Sequence, residues 1–425
     1  MYEIFKNFVR RVVPPAILAQ FLKAYHFLFA WGATLWQGMP AKKLFVIGVT
    51  GTKGKSSTAE MMNAILEEAG YRTALASTIR FKIGVNSAPN LFKMTMPGRG
   101  FLQKFLAEAR KADCTHVVLE ITSEGARQFR HTGIPLDMLI FTNIAPEHIE
   151  SHGSFENYKR AKLAIGHSLV HSPKRPRIVV ANADDELGKE FLKLPVERAL
   201  PYRLSDANPY KTLDGKVSMT VSDVTFDVPF PGEFTILNAL AAADAAKEID
   251  ISAETIGRAL SRMRPILGRV ERIDCGQDFV AIVDYAHTPN SLRALYRAFS
   301  GRRKVCVLGN TGGGRDTWKR PEMGKIAEDA CDIVILTNED PYDEDPRAIL
   351  EEMARGMEKK KSLIIMDRRE AIRRALLEAH YGDAVLVTGK GTDPYIMLAK
   401  GKKLPWSDAA VVREELETLI GKGDK

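Results

Sequence analysis

The chain has 425 residues, 45% hydrophobic and 27% charged, which is enough apolar material for two or three domains with their own cores and excludes a fibrous or low-complexity protein. Its formal charge of +8 has two readings, ordinary surface lysine or attraction to phosphate-bearing substrates and anionic membrane surfaces; no basic patch interleaved with aromatics is present, which argues against nucleic acid. Cys114, Cys275, Cys306 and Cys331 are scattered without a CxxC pair, so neither a zinc site nor a disulfide framework is expected, and a reducing, cytoplasmic location fits.

Residues 1–42 read as a helical leader. "FVRRVVPPAILAQFLKAYHFLFAWGATLWQGMP" has a basic start but no small-residue cleavage site, so it is not a signal peptide. Lys23 and His26 interrupt it, and its cleanest run, Phe27 to Trp36, is about half of what a bilayer needs. Two amphipathic helices packed on the next domain are expected. The alternative is peripheral membrane contact with Arg10 and Arg11 at the headgroups.

From Lys43 strand and helix patterns alternate. "KLFVIGV" reads as a buried strand and "KSSTAEMMNAILEEAG" as a helix closed by Gly70; "YRTALAST", "THVVLEIT", "LDMLIFTNI" and "RPRIVVANADD" are further strands. Residues 213–230 alternate apolar and polar as an antiparallel pair would, and "GEFTILNALAAADAAKEI" is helical. Pro265 and Gly268 punctuate a boundary, after which "DFVAIVDYA", "RKVCVLGN", "CDIVILTNED", "KSLIIMD" and "DAVLVTGKG" alternate with helices. The fold class is therefore α/β: a leader (1–42), a central P-loop ATPase-type parallel-sheet domain (43–266) and a C-terminal Rossmann-like doubly wound domain (267–425).

The turn "GVTGTKGKSST" between the first strand and its helix has the context of a phosphate loop. Glycines let several N–H groups face one anion, and the helix N-terminus favours negative charge. Lys55 would reach the β- and γ-phosphates and Ser56 would ligate Mg²⁺. The GxxxxGK[ST] spacing itself fails, since position 49 is Val. A glycine-rich helix start with an exposed lysine is the bland alternative.

This turn resembles the ATP loop of the Mur ligase family, which usually reads GTNGKTT. "VVLEITSEGA", "FTNIAPEHIESHGSFENYKRAK", "VANADD", "GEFTILNALAA", "GRVERI", "VDYAHTPNSL", "DRREAI" and "VTGKGTD" are similar to further family stretches, in family order across residues 43–410. The branch most resembled is the tripeptide synthetases, which add a diamino acid to UDP-MurNAc-L-Ala-D-Glu. The family phosphorylates a substrate carboxylate with ATP, and an amine then displaces phosphate.

The resemblance implies the following roles. Gly51, Thr52, Lys53, Gly54, Lys55, Ser56 and Ser57 hold the nucleotide phosphates. Ser56, Glu120, His148 and Lys162 surround two Mg²⁺ ions, with Lys162 matching the lysine that the family carbamylates. Lys55, Glu120, His148 and Lys162 form the catalytic set. Asn238 contacts adenine, and Arg269, Asp284 and His287 close on the nucleotide from the C-terminal domain. Arg315, Asp340, Tyr342, Gly389 and Asp393 line the amino-acid pocket, and Thr95 and Ser123 the acceptor site. The implied partners are small-molecule and nucleotide-sugar peptide substrates, with a monomeric protein.

The match departs from the family in four places. The leader is too short for the family's N-terminal UDP-binding domain, so UDP is held differently or the acceptor is not UDP-linked. The first asparagine of F-N-x-x-N is Thr235. Where diaminopimelate enzymes carry DNPR, this chain has "NEDPYDEDP": Asp340 replaces the asparagine and Tyr342 the arginine. An arginine binds a distal carboxylate bidentately, whereas Tyr342 beside Asp340, Asp343 and Glu344 suits a distal ammonium, so a lysine-like amine is expected over diaminopimelate. Asp393 stands for the glutamate of GKGHE and Thr392 for its histidine. Competing hypotheses are a Mur-like ligase for another carboxylate acceptor, such as a lipid-linked muropeptide, polyglutamate or storage peptide, and a non-catalytic nucleotide-binding subunit.

Overall fold

A computed structural model of the chain describes residues 15–98, 100–147, 149–359 and 362–423. Its larger sheet contains β1 (Phe45–Thr50), β2 (Thr73–Ala76), β3 (Arg80–Ile83), β4 (Asn86–Pro89), β5 (His116–Glu120), β6 (Met138–Phe141), β7 (Ile178–Asn182) and β8 (Arg198–Tyr202). Their order is β4-β3-β2-β5-β1-β6-β7-β8. β2, β5, β1, β6, β7 and β8 pair in parallel, while β3 and β4 add an antiparallel edge.

Parallel strands covered on both faces must be apolar almost throughout. Along β1, Ile47 and Val49 join one core and Val46 the opposite one, as the two-residue strand period requires. The first core is closed by the helices Lys55–Glu68 and Glu233–Lys247, the second by the helix Phe101–Lys111. Ala239, Ala241, Ala242, Ala243, Ala245 and Ala246 of the helix Glu233–Lys247 are fully buried. Such small side chains let it lie close to the helix Lys55–Glu68, where the phosphate loop ends. The alternating stretch predicted as a strand pair over 213–230 is three strands: β9 (Lys211–Leu213), β10 (Lys216–Val221) and β11 (Val224–Val228).

The second sheet contains β12 (Glu271–Ile273), β13 (Val280–Asp284), β14 (Lys304–Leu308), β15 (Ile333–Leu336), β16 (Leu363–Ile364) and β17 (Ala384–Thr388), in the order β12-β13-β17-β14-β15-β16. Only β12 is antiparallel to its neighbour. β17, last in sequence, lies between β13 and β14, so the strand order reverses there. Ligands of open parallel sheets bind at such a reversal, beyond the carboxyl ends of the strands. A short ribbon, β18 (Tyr395–Met397) with β19 (Lys403–Pro405), follows.

Of the two amphipathic helices expected in the leader, the described residues contain one, Pro15–Trp36, with much of its apolar surface exposed; residues 1–14 lie outside the described residues. No helix among the described residues is long and apolar enough to cross a membrane. Cys306 and Cys331, expected to be unpaired, form a disulfide. They are 25 residues apart, too far for a local pattern to reveal, but they stand on β14 and at the entrance to its parallel neighbour β15, with Cα atoms 6.1 Å apart.

Under β17, Arg368 donates to both carboxylate oxygens of Asp408 at 2.8 and 2.7 Å and to Thr388 O at 2.8 Å, with both side chains buried. Removing one partner would strand a buried charge. Arg368→Ala is therefore expected to lower the urea-unfolding free energy of the C-terminal domain by about 3–5 kcal/mol; a loss under 1 kcal/mol would show that Asp408 finds another partner.

Candidate functional site

The loop after β1 is built to leave donors open. Gly54 is the N-cap of the helix Lys55–Glu68 with φ 82°, and it makes no side-chain cap hydrogen bond. Elsewhere side chains do this work: Ser154, Asp185, Ser252 and Asp367 accept from the first turns of their helices. The uncapped N–H groups at Lys55 are thus kept for a ligand. A Cβ on Gly54 would come within 2.2 Å of Asn238 Oδ1, so glycine also lets the helix Glu233–Lys247 touch the loop.

Buried partners hold the loop in shape. Thr52 N donates to Asn143 O at 2.8 Å, and Lys53 N to Asn143 Oδ1 at 2.9 Å. Thr142 Oγ1 donates to Lys53 O at 2.6 Å. Lys55 Nζ folds back onto Thr52 O at 2.8 Å, and Lys162 Nζ donates to Gly51 O at 2.6 Å from beneath, 4.8 Å over the Tyr158 ring. Burial lowers the pKa of both amines, that of Lys162 the more strongly, with Lys55 adding to the effect.

Glu120 ends β5, the parallel neighbour of β1, and is buried. Its Oε2 accepts from Ser56 Oγ at 3.0 Å, Thr78 N at 2.8 Å and Thr78 Oγ1 at 2.9 Å. Thr78 Oγ1 also lies 2.7 Å from Thr95 Oγ1, so one hydroxyl links Glu120 to the expected acceptor side. Ser123 Oγ pairs with His152 Nε2 at 3.3 Å on the next helix. His148 lies outside the described residues. Its neighbour Glu147, which sequence reasoning missed, accepts from Lys53 Nζ and faces His287 Nε2, both at 2.9 Å.

The second sheet supplies the opposite wall. Arg269 lies 4.5 Å over the Tyr285 ring, and its guanidinium donates to Ser56 Oγ at 3.5 Å. Asp284 ends β13 and accepts from Val270 N and Ala286 N, both at 2.7 Å. Its carboxyl is pushed above the ordinary value by burial. Both ring nitrogens of His287 face acceptors, Tyr285 O at 2.6 Å and Glu147, yet burial and Lys53 lower its pKa to about 4. Between the walls runs a cleft of about 480 Å³ that gathers Thr52 to Ser57, Glu120, Asn238, Arg269, Asp284 and His287, with Thr95 at its edge.

The amino-acid residues form a separate cluster. Asp340 Oδ1 accepts from Lys390 Nζ at 2.8 Å and from Met397 N at 2.8 Å, while Oδ2 accepts from Lys93 Nζ at 2.5 Å. Burial raises the Asp340 pKa, but Lys390 and Lys93 outweigh it and the net shift is downward. Lys93 comes from the first sheet's loop, also lies 3.4 Å from Asp393, and was not singled out by the sequence. Arg315 stacks 5.2 Å over the Tyr342 ring. Gly389 directly precedes Lys390, and a Cβ there would meet Glu339 Oε2 at 2.3 Å.

The donor set fits a magnesium-bound nucleotide triphosphate. The uncapped helix start, Lys55 and Arg269 suit phosphate, and the Ser56 hydroxyl and Glu120 carboxylate are hard oxygen donors beside it. Among the described residues no three His, Cys, Asp or Glu side chains cluster to hold a metal unaided. That matches a cation which keeps waters and shares phosphate oxygens.

A Mur ligase middle domain matches residues 49–246, and a Mur ligase glutamate ligase domain matches residues 268–391. The chain is 34% identical over 403 residues to the UDP-N-acetylmuramoyl-L-alanyl-D-glutamate–2,6-diaminopimelate ligase of Syntrophomonas wolfei, covering 91% of this chain and 81% of that one. It is 36% identical over 417 residues to the UDP-N-acetylmuramyl-tripeptide synthetase of Roseiflexus sp. (strain RS-1), again covering 91% and 81%. A solved UDP-N-acetylmuramoyl-L-alanyl-D-glutamate–2,6-diaminopimelate ligase superposes with a TM-score of 0.59 at 28% identity, over 89% of this chain and 79% of that one.

Two outcomes are expected. Gly54→Ala adds a Cβ at positive φ against Asn238 and should weaken binding of a nonhydrolysable ATP analogue, read by calorimetry, by roughly ten-fold or more while circular dichroism is unchanged. Because the folded pKa of His287 lies below its ordinary value, the folded chain takes up fewer protons than the unfolded one from about pH 6.5 down to about 4. Stability is full above that window and falls within it, and His287→Gln should shallow the acid limb of the Tm–pH curve; an unaltered limb would rule His287 out as a contributor.

Proposed function

The chain belongs to the Mur ligase family of acid–amino-acid ligases, and on that premise we propose that it uses ATP to join an amino acid to the glutamyl carboxylate of UDP-N-acetylmuramoyl-L-alanyl-D-glutamate in peptidoglycan-precursor synthesis. The observation carrying this reading is the meeting of the uncapped loop helix, the Ser56–Glu120 pair and Arg269 across one cleft. The carboxylate attacks the γ-phosphorus, ADP leaves, and an acyl phosphate forms. The amine then attacks the acyl carbon, phosphate leaves and the amine gives up a proton.

Each residue lowers a specific barrier. The loop N–H groups, Lys55 and Arg269 hold the phosphates against an approaching anion. Magnesium, held by Ser56 and Glu120, would screen the phosphate charge. The link through Thr78 couples Glu120 to Thr95, on the side assigned with Ser123 to the acceptor. A second cation is assigned to His148 and a carbamylated Lys162. The low pKa of the Lys162 amine favours the neutral form that adds to carbon dioxide, and its bond to Gly51 O would have to be remade. A cytoplasmic monomer acting on small-molecule and nucleotide-sugar peptide substrates accords with this reading.

The amine turns on charge. The lysine-like preference keeps the support of Tyr342 in place of an arginine, but its acidic loop is already engaged. Asp340 pairs with Lys93 and Lys390, Asp343 accepts from Lys400 N at 2.7 Å, and Glu344 accepts from Arg320 at 2.8 Å. Lys93 and Lys390 thus engage Asp340 and lie near Asp393, and Arg315 over the Tyr342 ring adds a third cation beside them. This supports an amine carrying a distal carboxylate, such as the 2,6-diaminopimelate in the relatives' names, with lysine as the second reading.

Phosphate release from ATP is expected only when this acceptor and an amine are both present; release with a different acceptor would select another Mur-like activity, and ATP binding without release would select a non-catalytic subunit. Lys93→Met should raise the KM for diaminopimelate about ten-fold while changing that for lysine less. A larger effect on lysine would favour the lysine reading.

A further inference from the structure

The leader helix is fitted onto the first domain. Its own Ala30 and Thr34 are buried against that domain. A Cβ on Gly100 would come within 2.9 Å of Ala33 Cβ, and one on Gly133 within 2.3 Å of Thr34 Oγ1, so the close approach depends on both glycines. Phe27 adds an edge contact to Phe129, with centroids 5.7 Å apart.

This seat hangs Tyr25, His26 and Phe29 over the segment that follows Thr95, enclosing a groove of about 380 Å³. Among the described residues the opposite wall presents Gln103, Gln128 and Arg130; Gln103 Nε2 donates to Arg130 O and Thr132 O, and Gln128 Nε2 to Glu124 Oε1 at 2.9 Å. Arg130 donates to Met96 O and, at 2.5 Å, to Gln128 Oε1, so its guanidinium is held in place. The groove adjoins the catalytic cleft along the chain: Met94 lines the one and Thr95 the other, and the Thr95 hydroxyl reaches Glu120 through Thr78. A ligand whose carboxylate sits near Glu120 would lay its other end here.

We propose that this groove binds the carrier end of the acceptor, a sugar ring with its anomeric diphosphate, with Tyr25 and Phe29 against the ring and Arg130 on the phosphate oxygens. The aromatic wall and the Arg130 guanidinium fit an anion attached to a partly apolar body. The inference rests on the ligase reading and gives the leader a substrate-binding role. The diphosphate has two sources, a nucleotide or a polyprenyl chain. The outer side of the helix bears on this: Phe21, Leu28 and Trp36 are 67, 67 and 88% exposed.

The test compares Tyr25→Ala and Phe29→Ala with the unaltered full-length chain, using the same dipeptide in three forms: UDP-linked through its sugar, polyprenyl-diphosphate-linked through its sugar in detergent, and free, without sugar or phosphate. The variants should raise the KM for one diphosphate acceptor about ten-fold, with kcat and the KM for ATP nearly unchanged and the phosphate-free acceptor unaffected. The acceptor so affected identifies the source. Phe29→Leu should restore much of the loss. Unchanged acceptor KM in both alanine variants, or equal losses on the phosphate-free acceptor, would overturn the proposal. Calorimetric titration of UDP-MurNAc-dipeptide alone separates the two readings: binding that Phe29→Ala weakens, in a chain that releases no phosphate, leaves the groove standing while the ligase reading falls. If Phe29→Ala lowers Tm, Tyr25→Ala carries the test alone and must raise the same KM.

Discussion

Two buried amines beside one loop set the terms for the rest of the structure. Lys55 and Lys162 each give their hydrogen bond to a carbonyl of residues 51–52, and among the described residues neither forms an ion pair with a carboxylate. Burying ammonium groups without counter-ions is unfavourable, which is why both pKa values fall. Glu120 and Glu147 offset the two amines only in part, so the free chain holds donors in excess of acceptors at an uncapped helix start. A polyphosphate supplies the missing charge and the missing acceptors together. Loop, strand ends and facing wall all serve to keep that imbalance in a fixed place.

The two sheets meet over this loop with their carboxyl edges towards each other. Among the bridges that cross between them are Arg269 to Ser56, His287 to Glu147, and Lys93 to Asp340. Each joins an ionisable side chain of one sheet to a polar group of the other. A cleft made of two such bodies can open and close while each body stays rigid, and closure is what brings an acyl donor and an amine together away from water. The same bridges place the amino-acid cluster and the nucleotide cleft on either side of a single seam.

Much of the fold was legible because buried parallel strands leave a strong mark. "KLFVIGV" and "THVVLEIT" are apolar at nearly every position because both of their faces are covered, and β1 and β5 followed from that alone. The loop was legible for a related reason: glycines, lysines and hydroxyls after such a strand have few other uses. Residues such as Thr78, Glu147 and Lys93 left no comparable trace. A threonine after a short strand, a glutamate before a histidine and a lysine in a loop are common, and what makes them matter is a partner 42, 140 or 247 positions away. The disulfide was hidden for the same reason, since only strand adjacency unites Cys306 and Cys331.

By itself the sequence determined the element types, the phosphate loop and the family-like order of motifs, because these depend on local periodicity and short spacing. It did not determine charge balance. The acids of "NEDPYDEDP" looked free for a ligand's ammonium until folding paired them with Lys93, Lys390 and Arg320. Nor did it show that the leader would pack through Ala33 and Thr34 onto two distant glycines and form a wall beside Arg130. Charge pairing and cavity walls depend on which groups come within a few ångströms of each other, and only the tertiary structure decides that.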